Sequence, residues 1–338
     1  MRYVIGVDCG ATKTISAVAD ENGNLLGIGV GGPSNYFVAG KKMTRQAIAE
    51  AVNTAVQQSG LQPLSFKTMC LGAPGASNPK CRGVVEKIVR ELNLAERIIV
   101  CSDLVIALMG ALMGNPGVIV IAGTGSSTYG INKKGETARA GGWGYLLGDE
   151  GSAYYIGLKA ITAALRAYDG RASSTTLIKG IVDKLNLNTI EEIVERVYSG
   201  HLKHHEIANL APIVVEAARK GDKISIDILE EAGKELGLAA VAVIKALRME
   251  NEEFELATVG GVFNAGELIF NPFRKTVEKV APRVKFTKPK FEPVLGAIIL
   301  ALKESGIVID DKKLINLRRS FNVLTSQNRA MSRVQSPP

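Results

Sequence analysis

The sequence predicts an α/β protein of two domains, and three observations carry that prediction. First, 338 residues exceed the length of one ordinary domain. Second, apolar strand segments alternate with segments of helical periodicity. Third, a glycine- and threonine-rich hairpin occurs twice, at residues 4–14 and 118–128. The repeat predicts two similar halves, divided near Gly117.

Each copy of the hairpin has the features of a phosphate-binding turn. An apolar strand runs into glycines that let the backbone approach an anion, and neighbouring hydroxyls and N–H groups can donate to phosphate oxygens. A second strand and a tight reversal follow, at Asn22-Gly23 and at Lys134-Gly135. One glycine-rich turn is often only a turn. Two of them predict a nucleotide held between two halves, and favour an ATP-dependent phosphotransferase.

The rest of the chain is predicted to alternate strands and helices. In the first half, helices are predicted over 41–59, 80–92 and 104–108, with strands over 66–71 and 97–101. In the second half, helices are predicted over 152–168, 190–198, 205–220 and 223–248, with strands over 255–259 and 283–287 and a closing helix over 294–303. We expect one domain at 1–117 and another at 118–293. Residues 294–308 are expected to join the first domain, where they could serve as a hinge.

The composition is that of an ordinary soluble protein, with 46% hydrophobic and 22% charged residues. No uncharged apolar run approaches the ~20 residues of a membrane helix, and Met1-Arg2 leads into a strand without a signal-peptide pattern. We therefore expect a cytoplasmic protein with no membrane partner. The four cysteines form no Cys-x-x-Cys pair, which favours reduced thiols over a disulfide or a metal site at Cys9, Cys70, Cys81 and Cys101.

The net charge of +8 does not predict a nucleic-acid partner, because much of the excess lies at one end of the chain. Residues 311–338 contain six Lys or Arg and a single acid, and they end in Gln-Ser-Pro-Pro. This polar stretch is predicted to be a basic, flexible tail.

Phosphoryl transfer depends on positioning and on charge neutralisation. Asp8 ends an apolar strand at the first turn, where it is predicted to organise Mg²⁺, through water, beside the phosphates. The alternative is an aspartate that only caps the turn. The predicted phosphate contacts are Gly10, Thr12, Lys13 and Thr14 in the first turn, and Gly123, Thr124, Gly125 and Ser126 in the second.

Asp103 is the candidate general base for the acceptor hydroxyl. It follows an apolar strand, and the carboxyl ends of strands line ligand crevices in α/β sheets. The alternative is that Ser102 or Asp103 only caps the helix that follows.

Residues 141–152, which we call the acceptor segment, contain five glycines, the only tryptophan and the pair Asp149-Glu150. Carboxylates accept hydrogen bonds from several hydroxyls, while an aromatic ring packs against C–H groups, so the segment suits a polyhydroxylated ligand. Alternatively, Asp149 and Glu150 only favour the start of the next predicted helix.

Taken in order, these motifs resemble the N-acetylglucosamine kinase branch of the actin-like ATPase superfamily, the BadF/BadG/BcrA/BcrD ATPase family. The resemblance extends from residue 4 to about residue 303. The acceptor segment is its most specific part, because hexokinases, glycerol kinases, actins and chaperone ATPases share the phosphate motifs. The residues that carry it are Asp8-x-Gly10-x-Thr12-Lys13-Thr14, Gly72-Ala73-Pro74-Gly75, Ser102-Asp103, Gly123-Thr124-Gly125-Ser126, Gly141-Gly142-Trp143-Gly144, Gly148-Asp149-Glu150-Gly151-Ser152 and Gly260-Gly261-Val262-Phe263.

The resemblance implies two ribonuclease-H-like domains around a central nucleotide cleft and the cofactors ATP and Mg²⁺. A homodimer is expected because homodimers are the commonest oligomers. The resemblance also implies phosphorylation of N-acetylglucosamine, glucosamine or glucose on the 6-hydroxyl, whose proton Asp103 would take. Ala140 stands where the family often carries cysteine, which leaves the preference at carbon 2 of the sugar open. The implied sugar contacts are Asn35, Gly75, Asp103, Gly142, Trp143 and Asp149, while Gly260 and Gly261 would lie beneath the adenine ring.

Two other functions stay open at this point. Some members of the family activate 2-hydroxyacyl-CoA dehydratases through an iron–sulfur cluster, although no cysteine here lies in an obvious cluster loop. A non-catalytic sugar sensor is the other option, although related regulators carry a DNA-binding module for which the strand at Tyr3 leaves no room. His201, His204 and His205 are interpreted as part of a solvated loop.

Overall fold

The computed structural model describes residues 1–61 and 66–334, which fold as two compact units. The first unit is Met1–Asn115 together with the chain from Pro289 onward, and the second is Pro116–Lys288. The domain limits predicted at 117 and 293 differ from these by a few residues.

The first unit is built on a five-stranded mixed sheet. Its strands are β1 (Tyr3–Cys9), β2 (Thr14–Asp20), β3 (Leu25–Gly31), β4 (Phe66–Ala73) and β5 (Ala95–Ser102). They lie in the order β3-β2-β1-β4-β5, in which the first three are antiparallel and the last two extend the sheet in parallel. The connecting helices are α1 (Tyr36–Ser59), which is interrupted at Gly40, α2 (Pro79–Arg90) and α3 (Asp103–Ala111).

The second unit repeats this topology. Its strands are β6 (Gly117–Ala122), β7 (Ser126–Ile131), β8 (Thr137–Gly141), β9 (Phe254–Val259) and β10 (Val284–Thr287). The order β10-β9-β6-β7-β8, with an antiparallel meander and two parallel additions, matches that of the first unit strand for strand. The duplication predicted from the hairpin is therefore confirmed, as is the α/β class.

Helices cover the second sheet, and some of them differ from the prediction. The helices are α4 (Ala153–Tyr168), α5 (Leu177–Leu185), α6 (Glu192–Tyr198), α7 (His204–Ala208), α8 (Ala211–Arg219), α9 (Lys223–Ala246) and α10 (Glu267–Glu278), with a 3-10 helix at Gly261–Ala265. The single helix predicted over 205–220 is wrong, because Pro212 lacks an N–H donor and starts a new helix at its first turn. Two further helices, α5 and α10, were not predicted from the sequence, and α10 carries Pro272 in its interior.

The chain then returns to the first unit through α11 (Pro293–Glu304). Gly6 in β1 has no side chain, and a Cβ there would lie 2.9 Å from the Val294 carbonyl oxygen and 2.8 Å from the Ile298 nitrogen. The helix therefore packs directly on the sheet backbone, with Ile298 fully buried. This closing helix belongs to the core of the first unit.

A glycine ladder lets α1 approach the opposite face of the same sheet. A Cβ on Gly27, Gly29 or Gly31 would lie 2.0, 1.9 or 2.2 Å from a carbonyl oxygen of α1. Those carbonyls belong to Ala55, Ala51 and Ala47, which recur every fourth residue on one face of the helix. Alternate glycines on the strand and alanines on the helix bring the two backbones into contact.

The predicted flexible tail is instead a helix along most of its length. α12 spans Asp311–Val334, and Leu317 is fully buried against the first unit. Leu314, Phe321 and Leu324 pack in the same cluster, and the Ser320 hydroxyl accepts the N–H of Leu25 at 2.9 Å. Composition alone did not predict this apolar stripe, because most other residues of the segment are polar or basic.

Among the described residues, the model contains no helix that is both long enough and apolar enough to cross a membrane.

Candidate active site

The first predicted phosphate turn is a tight backbone loop between β1 and β2. The Gly10 N–H donates to the Lys13 carbonyl at 3.0 Å, and a Cβ on Gly10 would lie 2.6 Å from that oxygen. The Gly10 carbonyl accepts the Ser34 N–H at 3.0 Å, which places the loop that carries Asn35 beside the turn. Only glycine fits at position 10.

The predicted phosphate contacts of this turn differ in their exposure to solvent. Thr12 and Lys13 are exposed and can meet a ligand. Thr14 is fully buried, and its hydroxyl donates to the Gly32 carbonyl at 2.7 Å and lies 2.6 Å from the Ser34 hydroxyl. Thr14 thus secures the loop before Asn35, and its hydroxyl is engaged inside the protein.

Asp8 lies in a strongly negative environment at the end of β1. Its pKa is raised from 3.8 to about 6, chiefly by burial and then by the charges of Asp103 and Glu292, with Lys13 acting in the opposite direction. Glu292 was not among the predicted site residues; it is the residue directly before α11, the N-cap position. An acid just before a proline-initiated helix is the signal that could have identified it.

This environment fits a divalent cation. Several carboxylates act on one another with only one lysine to oppose them, and a bound cation would favour their ionised forms. Within the described part of the chain, no three His, Cys, Asp or Glu side chains are gathered to hold a metal ion. A magnesium ion at Asp8 would therefore complete its shell with phosphate oxygens and water.

Asp103 is the first residue of α3, directly after β5. The Ser102 hydroxyl accepts the Leu104 N–H at 3.3 Å and donates to Asp103 Oδ1 at 2.9 Å. Ser102 therefore supplies the side-chain cap of α3, which weakens the interpretation of Asp103 as a cap. Gly75, in the turn after the neighbouring β4, has a positive φ of 79°.

The second predicted phosphate turn joins β6 to β7 in the second unit. The Gly123 N–H donates to the Gly125 carbonyl at 2.9 Å, while the carbonyls of Gly123 and Thr124 accept the N–H groups of Ala153 and Tyr154 at the start of α4. The turn is thus fixed to a helix N-terminus. The N–H of Gly125 and the hydroxyl of Thr124 have no protein partner among the described residues, so a ligand can use them.

Ser126 and Gly125 connect this turn to the acceptor segment. The Ser126 N–H donates to the Asp149 carboxylate, and the Ser126 hydroxyl donates to the Glu150 carbonyl at 2.7 Å. A Cβ on Gly125 would lie 2.6 Å from Asp149 Oδ2. Ser126, predicted as a phosphate contact, therefore holds Asp149 and Glu150 in place with both of its donors.

Asp149 adopts an unusual conformation for a residue with a side chain. Its φ is +61°, and it is buried although its carboxylate carries charge. Burial raises its pKa, the nearby Glu150 adds to that effect, and the N–H groups of Ser126 and Gly144 oppose it. The cap of α4 is Ser152, whose hydroxyl accepts the Tyr155 N–H at 3.2 Å. Asp149 is therefore not needed to start that helix.

The aromatic residues of the acceptor segment lie at the surface of the second unit. Trp143 follows Gly142, which has a φ of +70°, and its ring is 67% exposed with the Arg139 guanidinium 4.6 Å from its centre. Tyr145 is stacked with His204 at 5.0 Å between ring centres. His204 is exposed to solvent, as the solvated-loop interpretation predicts, but it begins a helix instead of lying in a loop, and its ring stacks on the acceptor segment.

A cavity of about 490 Å³ begins at the second phosphate turn and extends to the predicted adenine contact. Gly123 and Thr124 lie at one wall and Gly261 at another, while Gly260 packs against the end of β6, where a Cβ would lie 2.2 Å from the Ala122 carbonyl oxygen. The remaining lining was not predicted: it includes Ile156, Ala208, Asn209, Pro212, Val215, Arg219, Val262 and Asn264. Apolar walls with two amides and a guanidinium suit a nucleobase and its ribose.

A family model described as the BadF/BadG/BcrA/BcrD ATPase family matches residues 5–301. The chain belongs to this family. As a member of the BadF/BadG/BcrA/BcrD ATPase family it is an α/β protein that uses ATP, in agreement with the duplicated turn and the cavity.

Curated proteins with assigned activities are similar to this chain over almost their whole length. An N-acetylmuramic acid/N-acetylglucosamine kinase from Clostridium acetobutylicum is 38% identical over 304 residues, which cover 90% of this chain and 99% of the relative. An N-acetyl-D-glucosamine kinase from Dictyostelium discoideum is 32% identical over 310 residues, 88% of this chain and 97% of the relative.

Solved structures of similar fold agree with this assignment. The structure of a candidate N-acetylglucosamine kinase from Chromobacterium violaceum is 30% identical, with a TM-score of 0.70 over 89% of this chain and 99% of that one. A ROK family glucokinase from Streptomyces griseus has a TM-score of 0.53 at 19% identity over 89% and 99% of the two chains, and supports the fold alone.

Proposed function

We propose that this protein is an ATP-dependent kinase that transfers the γ-phosphate of ATP to the 6-hydroxyl of an amino sugar. The observation that carries the proposal is the bond between the second phosphate turn and the acceptor segment, where Asp149 accepts the Ser126 N–H. A residue implied to bind sugar is held by a residue of a nucleotide motif. Such a link is what a transferase needs, since it must align a donor with an acceptor.

The second unit supplies the nucleotide contacts in this proposal. The base and ribose would occupy the cavity beside Gly261, and the phosphates would meet the N–H of Gly125 and the hydroxyl of Thr124. Backbone donors at a glycine turn are suited to phosphate oxygens because no side chain keeps them apart.

In this proposal the first unit supplies the charged groups that bind the metal and the phosphates. Asp8 would hold Mg²⁺, directly or through water, and Lys13 and Thr12 are exposed where a phosphate could reach them. When bound, the metal would neutralise charge on the transferred phosphoryl group. Lys13 is the cation that already offsets part of the negative field at Asp8.

Asp103 would accept the proton of the attacking hydroxyl. Its carboxylate lies at the carboxyl end of β5 and is oriented by the Ser102 hydroxyl at 2.9 Å. A carboxylate held at a strand end can remove a proton as the oxygen attacks phosphorus.

The acceptor class follows from the relatives. Their names include N-acetylglucosamine kinase, N-acetylmuramic acid/N-acetylglucosamine kinase and glucosamine kinase, the last from Vibrio cholerae at 26% identity. We therefore expect N-acetylglucosamine to be phosphorylated, with N-acetylmuramic acid and glucosamine as the next candidates. Ala140, opposite Thr128 in the β7–β8 pair, marks the position that could tune the preference at carbon 2.

A coupled ADP-release assay across hexoses, hexosamines and N-acetylhexosamines tests the function. We expect sugar-dependent ADP release to be highest with an N-acetylated amino sugar, and the product to carry phosphate at carbon 6 by NMR. ADP release that no sugar increases would overturn the proposal. Strong cluster absorbance in anaerobically purified protein would favour the iron–sulfur activator instead.

Asp103→Asn tests the base assignment. The amide keeps the size of the side chain but cannot take the proton, so turnover should fall at least ~10²-fold while the sugar affinity changes little. Asp183→Asn, on the exposed face of α5 and paired with Lys179, is the matched control and should keep normal turnover. Full turnover by the Asp103 variant would exclude it as the base.

The homodimer and the cytoplasmic location remain predictions. Light scattering after size-exclusion chromatography tests the first, and fractionation of cells tests the second.

A further inference from the structure

We propose that His204 is a positioning residue of the acceptor site, whose ring fixes Tyr145 and with it the turn that leads to Asp149. The proposal rests on the proposed function, because it assigns His204 a part in binding the sugar. It concerns a residue about 55 positions away in sequence from the segment that it contacts.

The acceptor segment needs such a contact because its glycines allow the backbone many conformations. Gly141, Gly142 and Gly144 all have positive φ, and the loop leaves the edge strand β8. Glycines in that region lose more conformational entropy on ordering than other residues do. A bound sugar would have to supply that ordering free energy unless side chains already hold the segment.

Tyr145 is the point at which the segment is held. Its ring meets Tyr154 of α4 edge-on at 5.2 Å, and on a second side it stacks with His204 at 5.0 Å with 10° between the ring planes. Tyr145 is 43% exposed, whereas the neighbouring Leu146 and Leu147 are 76% and 82% exposed. The two ring contacts explain why Tyr145 is the more buried side chain.

The same turn reaches Asp149 through its backbone. The Gly144 carbonyl accepts the N–H groups of Leu147 and Gly148 at 3.1 and 2.9 Å, and the Gly144 N–H donates to the Asp149 carboxylate. Movement of Tyr145 would therefore disturb the residue that precedes it and loosen a donor to Asp149. His204 is also one of the groups that lower the pKa of Asp149, against the larger effect of burial, which raises it.

His204 is placed firmly enough for this role. It is the first residue of α7, directly after Lys203, whose N–H donates to Glu206 Oε2 at 2.8 Å. His205 meets the His204 ring edge-on at 5.6 Å. By contrast, His201 forms a hydrogen bond with the Ser199 hydroxyl, at 2.8 Å. Of the three histidines, His204 is the one stacked on the acceptor segment.

Three variants separate the two contributions of the ring. His204→Ala removes both stacking and the imidazole nitrogens, His204→Phe keeps an aromatic face without those nitrogens, and His201→Ala, in the segment just before α7, is the matched control. The measurements are KM for N-acetylglucosamine, KM for ATP and kcat, together with sugar titration followed by the fluorescence of Trp143, the only tryptophan. Thermal melting reports whether each variant is folded.

We expect His204→Ala to raise KM for the sugar about fivefold, with KM for ATP changed less than twofold, because an aromatic pair contributes about 1 kcal/mol. His204→Phe should restore most of the affinity, and His201→Ala should match the wild type. Unchanged sugar affinity in His204→Ala would overturn the proposal, as would equal losses for sugar and ATP accompanied by a lower melting temperature. A wild-type protein that phosphorylates no sugar would instead overturn the proposed function, and the Trp143 titration would still decide whether His204 supports sugar binding.

Discussion

At the scale of single residues, Asp8 shows that a site carboxylate carries a cost in stability. Burial and the neighbouring Asp103 and Glu292 hold its pKa near 6, well above 3.8. Between those two pH values the folded chain binds more protons than the unfolded chain does. The free energy of unfolding contributed by this group therefore falls as the pH rises through that interval.

Asp8→Asn tests this cost. The amide carries no charge, so above pH 6 without Mg²⁺ the variant should be more stable than the wild type by up to ~3 kcal/mol, and the difference should shrink toward pH 4. Calorimetric melting at several pH values measures it. Added Mg²⁺ with ATP should stabilise the wild type but not the variant. Equal melting temperatures at pH 7.5 would contradict the charge environment described for Asp8.

The site residues that sequence patterns could predict are those in motifs, and the structure explains why others were missed. Gly10, Gly125 and Gly260 lie where close neighbours leave no room for a side chain, and glycine patterns reveal such positions. Arg219 and His204 reach their places through tertiary packing of distant elements. No local spacing marks them, and for the same reason the internal use of Thr14 and Ser126 was not foreseen.

At the scale of secondary-structure elements, backbone-to-backbone packing decides what the first sheet tolerates. The glycines of β3 lie so close to carbonyl groups of α1 that no side chain would fit between the strand and the helix. Strand and helix limits follow hydrophobic periodicity, which is why most elements were predicted. α10, with its internal proline, and the division between α7 and α8 depend on backbone donors that periodicity does not report.

Gly29→Ala tests this packing. The new Cβ would lie 1.9 Å from the Ala51 carbonyl oxygen, so strand and helix must separate, at a cost of about 2–3 kcal/mol in the free energy of unfolding. Gly32→Ala is the matched control, since a Cβ there meets nothing within 4 Å. Urea titration of both variants gives the comparison. Similar midpoints for the two would mean that α1 can shift away without loss.

At the scale of the whole molecule, α12 lies beyond the part of the chain that matches the family model, which ends at residue 301. Its stripe around Leu317 completes the cluster that also contains Val4, Ile298 and Leu302. The helix therefore extends the core of the first unit. The 490 Å³ cavity that the proposed function assigns to the nucleotide is lined entirely by residues of the second unit.

A shortened chain that ends after Asp310 tests whether α12 stabilises the first unit without affecting the cavity of the second. Loss of α12 should lower the melting temperature, since it exposes the surface that Leu317 covers, while the affinity for ATP should stay within twofold. Leu317→Ala should reproduce part of the destabilisation, and Ile315→Ala, at a position that is 65% exposed, should not. A large loss of ATP affinity in the shortened chain would refute the independence of the nucleotide cavity.

The two donors of Ser126 also bear on how the substrates influence each other. In the proposed function Ser126 lies beside both binding regions, so a shift of the nucleotide turn would be passed to Asp149, and the reverse would hold equally. Saturating sugar should then alter the dissociation constant for a nonhydrolysable ATP analogue, and the analogue should alter that for sugar by the same factor. Such reciprocity would make the pair heterotropic effectors of one another through a serine that forms no bond with either.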